Sequence, residues 1–212
     1  MPITQPNLPN ICSQGFAIRQ EWLDQLGLEP PETIDEFYEV MVAFRDNDMN
    51  GNGDLTDEIP FDSTLKAYNS GVWALMGAWG TSRGFYQIDG VVKYGPMEPE
   101  FKGALSFLAR MYNEKLLDQG YLTNDQKICD ANMKDRIGSL YGWANWSRLR
   151  PLTAMGMTVE EANNAFYPME APAGSTGVYY DLVNSRTSLL PSGGLAMRSE
   201  ERRVGKECAT GC

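Results

Sequence analysis

The chain has 212 residues, 42% of them hydrophobic and 11% aromatic, which is enough apolar mass for one large domain or two small ones. Its formal charge of −10 argues against a nucleic-acid partner, because phosphate binding needs clustered Lys and Arg. No apolar run reaches membrane-spanning length, and "MPITQPNLPN" lacks the basic start and apolar stretch of a secretory signal.

"ICSQGFAI" (11–18) is short, apolar and glycine-containing, as expected of a buried strand. It leads into a helix with Trp22, Leu23 and Leu26 on one face and Gly27 placed to end it. Thr33 and Glu36 form a capping box, and Phe37, Val40, Met41 and Phe44 predict a one-faced amphipathic helix. That helix ends at "RDNDMNGNGDLTDEIPF" (45–61). Further on, "FYQIDGVVKYG" (85–95) predicts a hairpin about Asp89-Gly90. From Glu98 to Glu114, Phe101, Ala104, Leu105, Leu108, Met111 and Tyr112 form one apolar stripe of a long helix. "RIGSLYGW" (136–143) reads as a strand entering a loop, Thr158 to Glu161 as a second capping box, and "SLLPSGGLAM" (188–197) as a final strand. Helices alternating with short strands argue for a layered α/β or α+β domain.

The segment Arg198 to Cys208, "RSEERRVGKEC", matches a translated sequencing-library adapter over eleven residues and is set aside, with Ala209 to Cys212, as an artefact at 198–212. Without it the charge is about −11, and of four cysteines only Cys12 and Cys129 remain, which neither requires nor forbids a disulfide. The expectation is a fragment of a longer gene, with Met1 internal.

Oxygen-bearing side chains at alternate positions, Asp48, Asn50 and Asn52, suit Ca²⁺, which takes six to eight oxygen ligands in flexible geometry. Gly53 lets the chain turn, and the carbonyl of Asp54 with the carboxylates of Asp57 and Glu58 would complete the shell. A second register starts at Asp46 and puts Asp57 at the twelfth position, where a bidentate Glu is usual. A solvated acidic turn is the alternative to either. With no histidine in the chain, Ser-His-Asp and Cys-His nucleophile systems and histidine-bearing zinc sites cannot be built. A two-carboxylate glycosidase remains formally open, but no Asp or Glu lies in sequence surroundings apolar enough to raise its pKa, so calcium here reads as a structural clip rather than a catalytic ion.

Trp143 and Trp146 in "YGWANWSR", and Tyr68, Trp73 and Trp79 in "AYNSGVWALMGAWG", set aromatic faces beside small polar residues near strand ends, as a sugar site requires. Trp143, Trp146, Trp73 and Tyr68 are the candidate ligand contacts; Trp79 reads as packing. Asn145-Trp146-Ser147 also fits a glycosylation sequon, a match that occurs often by chance.

The stretch "AIRQEWLDQLGLEPPETIDEFYEVMVAFRDNDMNGNGDLTDEIPF" together with "VVKYGPMEPEFKGALSFLARMYNEKLLD" resembles the extracellular solute-binding proteins of carbohydrate ABC importers. In that family the acidic loop is a structural calcium site, which implies Asp48, Asn50, Asn52, Asp54, Asp57 and Glu58; one extra residue, Leu55 or Thr56, leaves open whether Asp57 or Glu58 is the main carboxylate ligand. The order of elements is similar to the second lobe of maltose-binding protein, which places Trp143 at a sugar-stacking position. The resemblance implies one α/β lobe of a two-lobed type II periplasmic-binding fold, incomplete at both ends: residues 1–15 crossing from a first lobe, 16–165 forming the second lobe with its calcium loop at 46–58, and 166–197 returning. It further implies a monomer that captures an oligosaccharide outside the cell for ABC permease subunits, without catalysis, held to the membrane only through a lipid anchor outside this fragment. The competing readings are a calcium-stabilised carbohydrate hydrolase and a calcium-regulated interaction module.

Overall fold

Strand β1 (Gln14–Arg19) is the centre of the fold, and its six residues show why: Phe16 and Ile18 enter one apolar cluster while Ala17 enters another. The computed structural model describes residues 14–64 and 71–175, and all of these belong to one unit. β1 pairs antiparallel with β5 (Ile137–Trp143) on one side and β6 (Phe166–Met169) on the other, and β2 (Ile59–Asp62) adds parallel to β5, giving the order β2-β5-β1-β6.

Helices α1 (Gln20–Leu26), α2 (Ile34–Asp46) and α3 (Pro99–Asn113) supply the larger core. Trp22, Phe37, Met41, Phe44 and Met111 are sealed there against Phe16, Ile18 and Phe61. The rings meet mostly edge to face, Trp22 on Phe44 at 5.1 Å and Phe37 on Phe61 at 5.6 Å, an arrangement favoured by the ring quadrupoles. The second cluster holds Ala17, Ile59, Met133, Ile137, Leu140, Leu152, Ala162 and Phe166. Its helical residues come from the short helices α5 (Arg150–Ala154) and α6 (Val159–Asn164), and Met133 caps α4 (Gln126–Asn132).

The local signals act as their chemistry requires. Gly27 ends α1 at φ +64°, and both capping boxes, Thr33 with Glu36 and Thr158 with Glu161, are closed in both directions. β3 (Phe85–Ile88) and β4 (Val91–Tyr94) form the hairpin, with Asp89 at φ +50° and Gly90 at +81°, the two positive angles of a tight turn. The α3 stripe is narrower than its sequence suggests. Ala104, Leu108 and Met111 are buried, while Leu105 and Tyr112 lie at the margin of solvent. Trp79 packs as read, 5.1 Å from the Phe107 ring. Cys129 is a buried free thiol, and Cys12 and the strand expected at 188–197 lie outside the described residues. No described helix is long and apolar enough to cross a membrane.

Arg19 ties the second layer to the sheet. The buried guanidinium donates to the carbonyls of Ile137 at 2.7 Å, Met133 at 2.8 Å and Lys134 at 3.3 Å, and its charge lies 4.7 Å from the Phe166 ring centroid. Burial pushes its pKa down to about 10, so it stays charged at neutral pH while gathering the carbonyl oxygens at the end of α4.

Close approach fixes one glycine. A Cβ at Gly138 would lie 2.6 Å from Phe44 Cδ2 and 2.7 Å from Trp22 Cζ3, inside two fully packed rings. Gly138→Ala is therefore expected to cost about 1–3 kcal/mol by overpacking, read as a lower urea midpoint with unchanged slope; an unaltered midpoint would show that the α1 and α2 rings shift freely.

Candidate functional site

Between the end of α2 and the start of β2 the chain curls around one carboxylate. Gly51 and Gly53 take φ +71° and +86°, conformations that glycine adopts without strain. The curl turns three backbone N–H groups onto Asp48: Gly51 donates at 2.7 Å and Asn52 at 3.1 Å to Oδ1, and Gly53 at 2.8 Å to Oδ2. A second node forms at Asp57, whose carboxylate accepts from the amides of Asn50 at 3.2 Å and Asn52 at 2.9 Å. Asp48, Asn50, Asn52 and Asp57 are thus joined in one network.

Asp54 folds back instead on Thr56, accepting from its N–H at 2.9 Å and its hydroxyl at 2.6 Å, which holds the Asp54 carboxyl below its usual pKa. Glu58 accepts from Met49 N–H at 3.0 Å through Oε1, while Oε2 is buried with no hydrogen-bond partner. Burial raises the Glu58 pKa, partly offset by the amides of Glu58, Met49 and Asn50. This corrects the expectation that no carboxylate of the chain lies in a setting that raises its pKa: the fold brings Glu58 back against Met49, nine residues earlier, and buries its Oε2, a nonlocal contact that local sequence does not reveal.

Among the described residues no three His, Cys, Asp or Glu side chains converge as a ready-made metal cluster. The donors that could hold an ion are mixed, carboxylates of Asp48, Asp57 and Glu58 with side-chain oxygens of Asn50 and Asn52, all hard oxygens of the type calcium takes. The buried, unpartnered Oε2 of Glu58 fits such a cation, because a desolvated carboxylate oxygen without a donor gains most from a positive charge.

Arg136, unremarked in the sequence, locks the exit of this loop. Its Nε donates to the Asp57 carbonyl at 2.9 Å and lies 3.4 Å from Oδ2, and its own carbonyl accepts from Ile59 N–H at 2.7 Å. One residue thereby fixes both the loop and the start of the β2–β5 ladder.

Of the aromatic candidates, Trp143 and Trp73 lie near the carboxyl ends of that parallel pair, where open α/β sheets bind ligands. Trp143 is the last residue of β5 and is half-buried; its N–H donates to Ser147 Oγ at 3.0 Å across the π-helical turn Ala144–Leu149. Trp146 lies on that turn, with its side chain outside the described atoms. Tyr68 lies outside the described residues; the described residues on either side of it, Thr64 and Val72, are each hydrogen-bonded. Thr64 donates through its hydroxyl to the Asn124 carbonyl at 2.7 Å, and Ser63 Oγ accepts from Val72 N–H at 3.0 Å. At Gly71 a Cβ would sit 2.3 Å from Tyr141 Cβ, so the 3₁₀ segment Gly71–Trp79 begins directly against β5. Trp73, on this segment, is half-buried beside Tyr121 and under the Arg83 guanidinium. Ser63, Tyr121 and Arg83 belong to this edge and were not singled out from the sequence, where nothing but proximity in the fold distinguishes them.

No family model matches the chain. It is 31% identical over 130 residues to lipoprotein LipO of Bacillus subtilis, covering 58% of this chain and 25% of LipO. It is 30% identical over 131 residues to the fructooligosaccharide ABC transporter substrate-binding protein FusA of Streptococcus pneumoniae, covering 59% of this chain and 24% of FusA. Substrate- and solute-binding proteins of ABC transporters recur among the relatives and structural neighbours. Superposed on the structure of an EF-hand mutant of FusA with fructo-nystose, the chain gives a TM-score of 0.65 at 24% identity, covering 80% of this chain and 33% of that one, which shows the fold. A solute-binding protein of Bifidobacterium longum infantis associated with an ABC transporter and binding HMO gives 0.63 at 27% identity, covering 77% and 34%. The chain thus has the α/β fold of part of a periplasmic solute-binding protein, and it spans about a quarter of the length of the curated relatives it matches.

Asp57→Ala would strip Asn50 and Asn52 of their shared acceptor and Arg136 of its ion pair, with a local cost of about 1–3 kcal/mol. Faster amide exchange confined to residues 48–59 is the expected result; unchanged protection there would show that the Asp48 curl stands alone.

Proposed function

We propose that the chain is part of the extracellular substrate-binding component of an ABC importer, capturing an oligosaccharide for uptake without chemical conversion. What supports this reading is the edge at the carboxyl ends of β2 and β5, where the 3₁₀ segment carrying Trp73 starts against Tyr141 and is tied to Ser63, and where β5 ends at Trp143. Indole and phenol rings beside small polar groups suit sugars, whose C–H faces stack on rings while their hydroxyls hydrogen-bond. The relatives support it, FusA as a fructooligosaccharide-binding component and the bifidobacterial protein as an HMO binder.

On this reading residues 16–165 form one lobe of a two-lobed protein, 1–15 and 166–197 are its crossing segments, and the whole works as a monomer beside ABC permease subunits, anchored by lipid at the cell surface. Trp143 would stack on a sugar ring, with Trp146, Trp73 and Tyr68 lining the same edge. Calcium would be structural. Asp48, Asn50, Asn52, Asp57 and Glu58 would hold it through their side chains and Asp54 through its carbonyl, and a bound ion would neutralise the carboxylates that Arg136 balances only in part. The EF-hand of FusA supports this assignment.

Two measurements test the reading. Chelation is expected to lower the melting temperature of the protein, and Asp48→Ala to abolish that dependence; a melting curve indifferent to chelator would remove the calcium clip. Trp143→Ala is expected to weaken oligosaccharide binding by about 1–3 kcal/mol, the scale of stacking on other ring systems. Calorimetry that finds no loss of affinity would take Trp143 out of the site.

A further inference from the structure

Arg83 differs from the other arginines whose partners are on display. Arg19 and Arg148 donate to backbone carbonyls, and Arg45, Arg110 and Arg136 each lie against a carboxylate. Among the described residues Arg83 has no ion pair. Its exposed guanidinium lies 5.7 Å from the centroid of the Trp73 ring. That separation is close to the outer limit of about 6 Å for a cation over an aromatic face, so the ring retains the guanidinium without engaging its N–H donors.

The surroundings place this cation at the edge already described. Trp73 follows Val72, whose N–H is fixed on Ser63 at the end of β2. Tyr121, beside Trp73, lies on the stretch that runs parallel to β2: Phe61 bridges Leu117, and Asp118 N–H donates to the Phe61 carbonyl at 3.0 Å. The stretch then passes the carboxyl end of β2. Asp62 at the end of β2 and Asp118 at the start of the Tyr121 turn are both buried, and Asp118 accepts from Gly120 N–H and the Asn124 amide at 2.8 Å each. In a chain of net charge −10 the edge therefore offers an exposed guanidinium, without an ion pair among the described residues, beside Trp73 and Tyr121.

We propose that the ligand is an acidic saccharide, one carrying a carboxylate as uronic acid residues do, and that Arg83 is the residue that reads that carboxylate. Resting on the carbohydrate-capture reading, this names the class of sugar. The guanidinium fork matches a carboxylate in two parallel hydrogen bonds, which a neutral hydroxyl cannot provide. Trp73 then serves as the platform that orients Arg83 rather than as a ring for sugar stacking, and Trp143 carries the stacking.

Calorimetry on the protein with trigalacturonate, its methyl ester and the neutral nystose tests this, in the wild type and in Arg83→Gln and Arg83→Lys. The expected result is that trigalacturonate binds, that the ester binds at least about tenfold more weakly, and that Arg83→Gln costs the acid about tenfold or more while leaving the ester unchanged. Arg83→Lys should recover only part, because an ammonium cannot form the fork. Binding of nystose but not of trigalacturonate, or an equal loss for acid and ester in Arg83→Gln, overturns the proposal and leaves carbohydrate capture standing. If none of the three saccharides binds the wild type, capture and the acidic specificity fall together.

Discussion

Parallel strands cannot be registered by a tight turn, and the β2–β5 pair has no hairpin to set it. β2 has four residues and follows a loop without regular structure, so its place must come from contacts outside the strand. Arg136 supplies one, accepting Ile59 N–H and donating to the Asp57 carbonyl; Phe61 supplies another, fully buried against Phe16 and Phe37 and bonded through its carbonyl to Asp118 N–H. Remove either and Ser63 loses its position, and with it the anchor of Val72 and the 3₁₀ segment carrying Trp73.

This dependence joins two regions that look unrelated in the chain. The acidic loop is remote from the aromatic edge, yet it feeds straight into β2, the strand whose far end carries that edge. Whatever tightens the loop tightens the start of β2. On the proposed reading, an ion held in the loop would act on the aromatic edge without touching it, through the rigidity of one short strand.

Much of this was legible in the residues. The two capping boxes, the Asp89-Gly90 turn, the Phe37 to Phe44 stripe and the strand ending at Trp143 all depend on neighbours in sequence, and all stand in the structure. Nonlocal features were not legible. β2 is too short, and broken by Pro60, to read as a strand. α4 is seven residues long, and its Asp125 cap has no periodic stripe behind it. Arg136 and Arg83 are ordinary arginines until the fold brings Asp57 to one and Trp73 to the other. The six loop residues stand together in the sequence pattern, but their division of labour, with Asp54 turned back to Thr56 and Glu58 half covered, follows from packing.

Pro168 sits opposite Ala17 in β6, the outermost strand on its side of the described sheet. Having no N–H, it leaves a gap in the row of donors that an incoming strand from another molecule would need. A strand adding along that border would go without one ladder hydrogen bond, which weakens edge-to-edge pairing there.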